Sequence, residues 1–270
     1  MPVYEMSLHI TQLNIYPIKS TAGISVPQAN VARIGLQQDR RYMLVDAQGR
    51  YLTARQQPKL LCVHTRVDQL GMTISAKGQD DVFLGAAQTP YQQGEVSIWR
   101  DRCIVDYVGK IFDQWFSSYL GMACHLVKLP TDDTRKVDQN FGQASDFVSF
   151  ADGFPLLLIS QASLDDLNQR LPTPVSMARF RPNIVVSGCA AYAEDTWQQM
   201  QIGDVGFRGV KNCTRCTITT IDPSTGIQQA DKQPLKTLRE YRHRPGGVYF
   251  GQNIIPDTPG KLCVGDLVQV

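Results

Sequence analysis

From residue 7 to about residue 108, apolar positions come in short runs with period-two alternation, and turn residues punctuate them. The runs predict strands over 9–16, 25–34, 42–46, 51–54, 61–67, 72–75, 96–99 and 103–108, with turn signals such as Gln48-Gly49 and Lys77-Gly78 between them. Closely spaced strands of this kind predict a barrel or one half of a sandwich. The period then changes. Ile111, Phe112, Trp115, Phe116, Tyr119 and Leu120 recur at helical spacing, and Gly121 is placed to stop the helix. Such an aromatic stripe reads as core packing.

Residues 130–146 are polar and aperiodic and predict a long surface loop. A buried strand follows over 154–160, and Ser160 is placed to cap a helix running through Leu164 and Leu167 to about residue 171. Further strands are predicted over 183–187, 206–210, 217–221, 248–254 and 267–270, with a short helix over 235–241. The sum is a mostly β (α+β) chain. Its expected division is an N-terminal β-barrel-like module over 1–125 and a second β-barrel domain with a few helices over 126–270.

Charge narrows the function classes. The 27 Lys and Arg against 25 Asp and Glu leave a formal charge of +2, so no global field recruits nucleic acid or an anionic membrane. Any basic function must be local. The sequence has no apolar run of about 18 residues, and its first ten residues lack both a basic n-region and an apolar h-region, so a soluble, cytoplasmic chain with no membrane partner is expected. Seven cysteines at irregular spacing read as reduced thiols.

The chemistry concentrates in Cys213-Thr-Arg-Cys216, which puts two thiols beside an arginine at the edge of an apparent strand. Thiolates prefer soft or borderline metals, and a nearby guanidinium favours the deprotonated sulfur. A structural zinc site normally needs four ligands, whereas Cys62, Cys103, Cys124, Cys189 and Cys263 are scattered singly. A thioredoxin-type C-x-x-C would open a helix, yet the residues after Cys216 alternate Thr and Ile as a strand does, up to the Asp222-Pro223 turn. What remains is one reactive thiolate or two buried, inert ones. Lys19, Arg40 and Arg181 each put a cation next to turn or strand residues, and such cations grip phosphate if they converge. No Walker loop or G-x-G-x-x-G is present, and His9, His64, His125 and His243 make no ligand spacing.

Nine segments, in order, carry a resemblance over nearly the whole chain: Tyr16-Pro-Ile-Lys-Ser20, Asp39-Arg-Arg-Tyr42, Leu52-Thr-Ala-Arg-Gln56, Ile159-Ser-Gln-Ala-Ser-Leu-Asp-Asp-Leu-Asn168, Phe180-Arg-Pro-Asn-Ile184, Tyr192-Ala-Glu-Asp-Thr-Trp197, Ile202-Gly-Asp204, Cys213-Thr-Arg-Cys-Thr-Ile-Thr-Thr-Ile-Asp-Pro223 and Phe250-Gly-Gln252. With them the chain resembles the molybdenum cofactor sulfurase C-terminal domain (MOSC) superfamily, in the branch of the mitochondrial amidoxime-reducing component and its bacterial relatives. The resemblance implies an N-terminal β-barrel domain followed by a MOSC domain. It also implies a molybdenum cofactor, molybdenum bound to molybdopterin, and reduction of N-hydroxylated or N-oxide compounds.

By that resemblance Cys216 aligns with the thiolate that ligates molybdenum, and Cys213 is a neighbour. Lys19, Arg40, Arg181 and Asn183 match positions that hold the pterin and its phosphate, with Ser20 and Thr214 as supporting hydrogen-bond partners. Asp222 follows the metal segment and is either a proton relay or a turn cap. One departure stands out: the animal branch has an adjacent Thr-Ser pair where this chain has Gly153-Phe154, so hydroxyl contacts to the cofactor are lost there. Some bacterial relatives carry a C-terminal plant-type iron-sulfur domain with C-x4-C-x2-C spacing, which this sequence lacks. A separate ferredoxin- or flavoprotein-like electron donor is therefore expected. The rival expectation is a non-catalytic carrier of the molybdenum cofactor or of sulfur on Cys216, although no pyridoxal-phosphate domain precedes the sequence to supply that sulfur.

Overall fold

The computed structural model describes residues 7–130 and 135–270. The reading of the first six residues and the 131–134 part of the predicted loop lie outside the described residues. The chain is mostly β. Among the described residues three α-helices accompany the strands: α1 (Lys110–Leu120), α2 (Gln161–Arg170) and α3 (Leu235–Arg242).

A nine-stranded sheet runs in the order Ile24–Val26, His9–Ile15, Ile184–Ser187, Leu156–Ser160, Gly247–Pro256, Val205–Thr214, Gln199–Ile202 and Val268–Gln269, with His243–Arg244 beside Gly247–Pro256. Leu156–Ser160 and Ile184–Ser187 pair in parallel. Parallel neighbours need a long crossover, and α2 lies within it. Both faces of these strands are covered. Leu158, Ile184 and Val186 join Ile10, Leu13, Phe207 and Ile254 in one cluster. Ile159, Val185 and Phe250 instead meet Leu164 and Leu167 of α2 and Leu238 of α3. Cover on both sides is why 154–160 reads as an unbroken apolar run and not as an alternating one.

The other half holds a four-stranded sheet, Tyr42–Asp46, Cys124–Lys128, Asp101–Tyr107 and Gln92–Ile98, and a three-stranded one, His64–Val67, Gly71–Ser75 and Val82–Gly85. The aromatic stripe of α1 is core: Phe112, Trp115 and Phe116 pack with Leu44, Ile74, Leu84 and Leu126. Gly121 ends α1 at φ +70°, donating its N–H to the Ser117 carbonyl, a conformation that costs other residues strain. Ser160 caps α2 as its sequence position predicts, its Oγ accepting from the Ser163 N–H at 3.1 Å.

Several expectations are corrected. The strand over 25–34 is broken into Ile24–Val26 and Gln28–Ala32 around Pro27, which has no N–H to give a ladder. Residues 51–54 form no strand. Tyr51 makes only an isolated bridge to Val45, and the Thr53 N–H turns to the Gln56 side chain. The predicted 130–146 loop carries Arg135–Lys136, paired with Phe147–Val148, and its Arg135 and Asp146 are buried. The strand over 217–221 is a 3-10 helix, Thr217–Thr220, because the Thr219 and Thr220 hydroxyls turn back to the carbonyls of Cys216 and Thr217 at 2.9 and 2.7 Å.

Val205–Thr214 carries a register irregularity after Gly209. A Cβ on Gly209 would lie 1.9 Å from the Trp197 carbonyl oxygen and 2.8 Å from the Gln252 amide nitrogen. Gly209→Ala is therefore expected to destabilise by about 2 kcal/mol or more, lowering Tm by roughly 4–8 °C for a chain of this size. Thermal unfolding of the two proteins checks this, and an unchanged Tm would show that the backbone around Trp197 yields freely.

Candidate functional site

Residues 16–21 pass between the two halves. Ile15 packs in the core of the large sheet and Ile18 in the core around α1. The segment is fixed at both ends. The Tyr16 N–H donates to Asp39 Oδ1 at 2.8 Å, its hydroxyl donates to the Pro182 carbonyl at 3.0 Å, and the Lys19 N–H donates to the Tyr42 carbonyl at 2.7 Å. Lys19 is thereby buried at the seam, with Nζ donating to the Phe150 carbonyl at 2.8 Å and to Asp152 Oδ1 at 2.5 Å. Burial pushes the Lys19 pKa down, and Asp152 opposes that push.

Arg40 and Arg181 converge on Tyr16. Each guanidinium carbon lies 4.2 Å from the Tyr16 ring centroid, within cation–π range. Arg40 also donates to Asp39 at 2.6 Å and to Asn183 Oδ1 at 3.0 Å, while Arg181 donates to the Thr21 carbonyl at 2.6 Å. Burial opposes the Arg40 charge, but Asp39 and Tyr16 more than compensate and its pKa is raised. Arg181 has no carboxylate partner among the ion pairs of the described residues. Burial, with repulsion from Arg40 added, brings it down to about 10 against the pull of Tyr16. Ser20, Arg40 and Arg181 all have positive φ, at +71°, +48° and +57°. Such backbone costs about 1–3 kcal/mol per non-glycine residue and clusters at functional sites.

The third wall comes from the end of Val205–Thr214. Arg215 leaves the sheet with its N–H on the Val248 carbonyl, and Cys216 opens the 3-10 helix. The Arg215 guanidinium turns back, donating to Cys213 Sγ at 3.1 Å and to the Phe180 carbonyl at 2.7 Å. Its Nε is buried without a partner. The sulfur that receives the arginine is therefore Cys213. These walls enclose one cleft, lined by Lys19, Ser20, Arg40, Arg181, Asn183, Cys213, Thr214 and Cys216 together with Asp152, Gly153, Phe154 and Arg215.

Residues 7–123 match the MOSC N-terminal beta barrel domain, and residues 146–269 match the MOSC domain. The chain belongs to the MOSC family. It is similar to mitochondrial amidoxime-reducing component 1 of Mus musculus, 38% identical over 96% of this chain and 81% of that one. The same component of Homo sapiens is 36% identical, over 96% and 82%. The molybdenum cofactor sulfurase of Oryza sativa subsp. japonica is 31% identical over 90% of this chain, which spans 32% of that protein.

In this MOSC chain, every sequence-predicted site residue except Asp222 lines the cleft. Asp222 holds a turn instead. Its Oδ1 accepts from the Ser224 N–H and hydroxyl at 2.8 and 2.6 Å, and these bonds, with Arg179 adding to them, lower its pKa. Asn183 lines the cleft but spends its amide on structure, donating to the Asn14 carbonyl and accepting from Arg40 and the Leu157 N–H. Thr214 is exposed and Ser20 buried.

Sequence reasoning missed Asp152 and Tyr16, whereas the arginine expected beside the thiols is Arg215 and engages Cys213. Tyr16 sits in the same motif as Lys19, so that proximity was a usable signal. Asp152 had none, because it meets Lys19 across 133 residues of chain. Among the described residues no group of three or more His, Cys, Asp or Glu could hold a metal ion. A metal on Cys216 would draw its other donors from an organic group. The cleft fits such a group if it is anionic: the Cys213 and Cys216 thiols, the cations Lys19, Arg40 and Arg181, and an orphaned Arg215 Nε face or border it.

Asp152 is 71% exposed to the cleft mouth. Desolvation by the cleft walls opposes its ionisation, but the Lys19 charge and hydrogen bond, with Arg55 and Arg40, hold the carboxyl down at about 2, below the ordinary 3.8. A depressed carboxyl contributes stability that is full above its unfolded pKa and lost as pH falls through its folded one. The ion pair should therefore persist above about pH 4 and fail towards pH 2, with a modest amplitude because solvent screens it. Asp152→Asn should flatten Tm against pH in that window. Parallel Tm profiles for the two proteins between pH 5 and 2 would show that the pair contributes nothing.

Proposed function

We propose that this chain is a molybdenum cofactor enzyme that reduces N-hydroxylated or N-oxide compounds, with Cys216 as the protein's ligand to molybdenum. The observation that carries the reading is the convergence of Cys216 with Lys19, Arg40 and Arg181 in one cleft. The similarity to amidoxime-reducing components supports it. When bound, the molybdenum cofactor supplies the two-electron chemistry at the N–O bond. The overall reaction consumes two electrons and two protons and releases the amine-level product and water, the electrons coming from a separate donor protein.

The chain's own residues bind and orient. Lys19, Arg40 and Arg181 would hold the anionic pterin and its phosphate, and Asn183 and Asp39 hold Arg40 in place. Lys19 would exchange its exposed partner Asp152 for that anion. Ser20 and Thr214 offer hydroxyls to the pterin. Asp222 has a lowered pKa, held ionised by the bonds of its own turn, and does not supply the protons. The protons come from solvent through the cleft mouth.

Similarity to the rice cofactor sulfurase favours a second reading, a carrier that passes sulfur or cofactor through Cys216. One set of samples separates the two. Wild-type protein from a host that makes the cofactor is expected to hold close to one molybdenum and one pterin per chain. Cys216→Ala should lose most of the metal and all amidoxime reduction while keeping its Tm. Undiminished turnover in Cys216→Ala would sink the reductase assignment. A persulfide on Cys216 by intact mass, without turnover, would establish the carrier.

A further inference from the structure

The hairpin that joins Gln92–Ile98 to Asp101–Tyr107 carries a tryptophan where its turn favours glycine. Ile98 pairs with Asp101, so the loop is Trp99-Arg100 alone. Trp99 has φ +54°, and Arg100 is not among the positive-φ residues. A two-residue hairpin loop with positive φ at its first position is one that glycine normally fills, and a bulky residue there is strained. The strain gains little burial, since the indole is 42% exposed. Arg55 lies over it, the guanidinium carbon 4.7 Å from a ring centroid, and the Tyr51 ring is 5.3 Å away.

This tip stands at the cleft mouth. Arg135 donates to Asp101 Oδ2 at 2.9 and 2.8 Å and to the Ala151 carbonyl at 2.9 Å, which pins the hairpin one residue from Asp152. Arg55 is close enough to Asp152 to help hold its carboxyl ionised. The charge left over is one-sided. Asp46, Glu95, Asp101 and Asp152 already hold the cations Arg50, Arg102, Arg135 and Lys19. Arg55 and Arg100 are exposed and have no carboxylate partner among the ion pairs of the described residues. Tryptophan and arginine are the residue types that dominate protein–protein hot spots, and unpaired cations select an acidic surface.

We propose that Trp99, Arg55 and Arg100 form the docking platform for the separate electron-donor protein, which presents an acidic surface to them. The proposal rests on the reductase reading, which requires such a donor. The indole is the anchor. Its turn and Arg55 hold it in place before docking, so little freedom is lost on binding. The two guanidiniums meet carboxylates of the donor around it. A donor seated there lies at the mouth of the cleft that Cys216 lines. Each docking event delivers one electron from a one-electron carrier, so two events and two protons from solvent complete one N–O reduction with release of water.

The test uses cofactor-loaded protein, an acidic plant-type iron-sulfur ferredoxin as donor and benzamidoxime as substrate. Titration with oxidised ferredoxin measures docking alone. Reduction of benzamidoxime is followed separately with reduced ferredoxin and with reduced methyl viologen. Wild type is expected to bind ferredoxin, about tenfold more weakly when salt rises from about 50 to about 300 mM. Trp99→Gly suits the turn but removes the anchor, and Arg100→Glu reverses a rim charge. Each should weaken binding and raise the ferredoxin KM by about tenfold or more. Rates with methyl viologen and molybdenum content should stay within about twofold of wild type, and the Tm of Trp99→Gly should not fall. Trp99→Phe should recover most of the binding. No binding by wild type, salt-insensitive binding, or full binding by both variants overturns the platform. Association with anionic phospholipid vesicles in place of ferredoxin overturns it too. Variant-sensitive docking with no reduction by either donor supports the platform and overturns the reductase reading. Reduction by both donors that neither variant affects does the reverse.

Discussion

Two half-buried guanidiniums over one tyrosine ring constrain the whole site. Arg40 and Arg181 both lie over Tyr16, with Lys19 buried three residues further on. Like charges in a poorly solvated seam repel, and removing them from water is costly. Asp39 answers only part of this, because one carboxylate serves both the Tyr16 N–H and Arg40. Arg181 has the Thr21 carbonyl and the tyrosine face, and its pKa falls to about 10. The seam therefore stores a deficit of negative charge that a bound anion can fill. The left-handed backbone of Ser20, Arg40 and Arg181 adds to the same cost, and the two packed cores on either side hold it in place.

Local signals were legible in the sequence where local physics decides. Helix α1 follows from its aromatic spacing and Gly121, and α2 from Ser160, because a stripe, a cap and a stop act within a few residues. The Thr-Ile alternation after Cys216 misled for an equally local reason. Its threonine hydroxyls bond back three residues and close a 3-10 turn, whereas alternation alone predicts extension. This also changes the argument about the cysteine pair. Cys216 sits at the start of a short helical turn, so the absence of a helix cannot be what separates it from a redox C-x-x-C. The difference lies in the company it keeps: a cation-lined cleft, and an arginine that engages Cys213.

Long-range pairings were not legible. Residue pattern alone did not show that Lys19, Arg40 and Arg181 converge; the resemblance grouped them, and the fold brings them into one cleft with Arg40 and Arg181 over Tyr16. Asp152, which neutralises Lys19, belongs to a stretch with no motif of its own. Asp222 had two expected roles, relay or turn cap, and local physics accounts for the second: an aspartate before proline finds its partners in the next two residues, and it takes them.

The division of labour around the cleft follows from where its walls originate. Lys19, Ser20 and Arg40 come from the early chain, held by pairing to Tyr42 and by Asp39. Arg181, Asn183 and Cys216 come from the late chain, held by the nine-stranded sheet and its flanking turns. Asn183 links the two sets, with Arg40 on its oxygen and the Asn14 carbonyl on its nitrogen. A buried amide satisfied on both sides has little freedom to rotate, so the spacing between the early cation and the late strand is set by a rigid bridge. The cation-bearing wall is therefore preorganised by contacts that cross between the cores. Gly153 carries no such constraint, whereas its neighbour Asp152 stays tied to Lys19 by an ion pair. A side chain at position 153 would therefore leave the charge balance of the cations untouched, and one at position 152 would not.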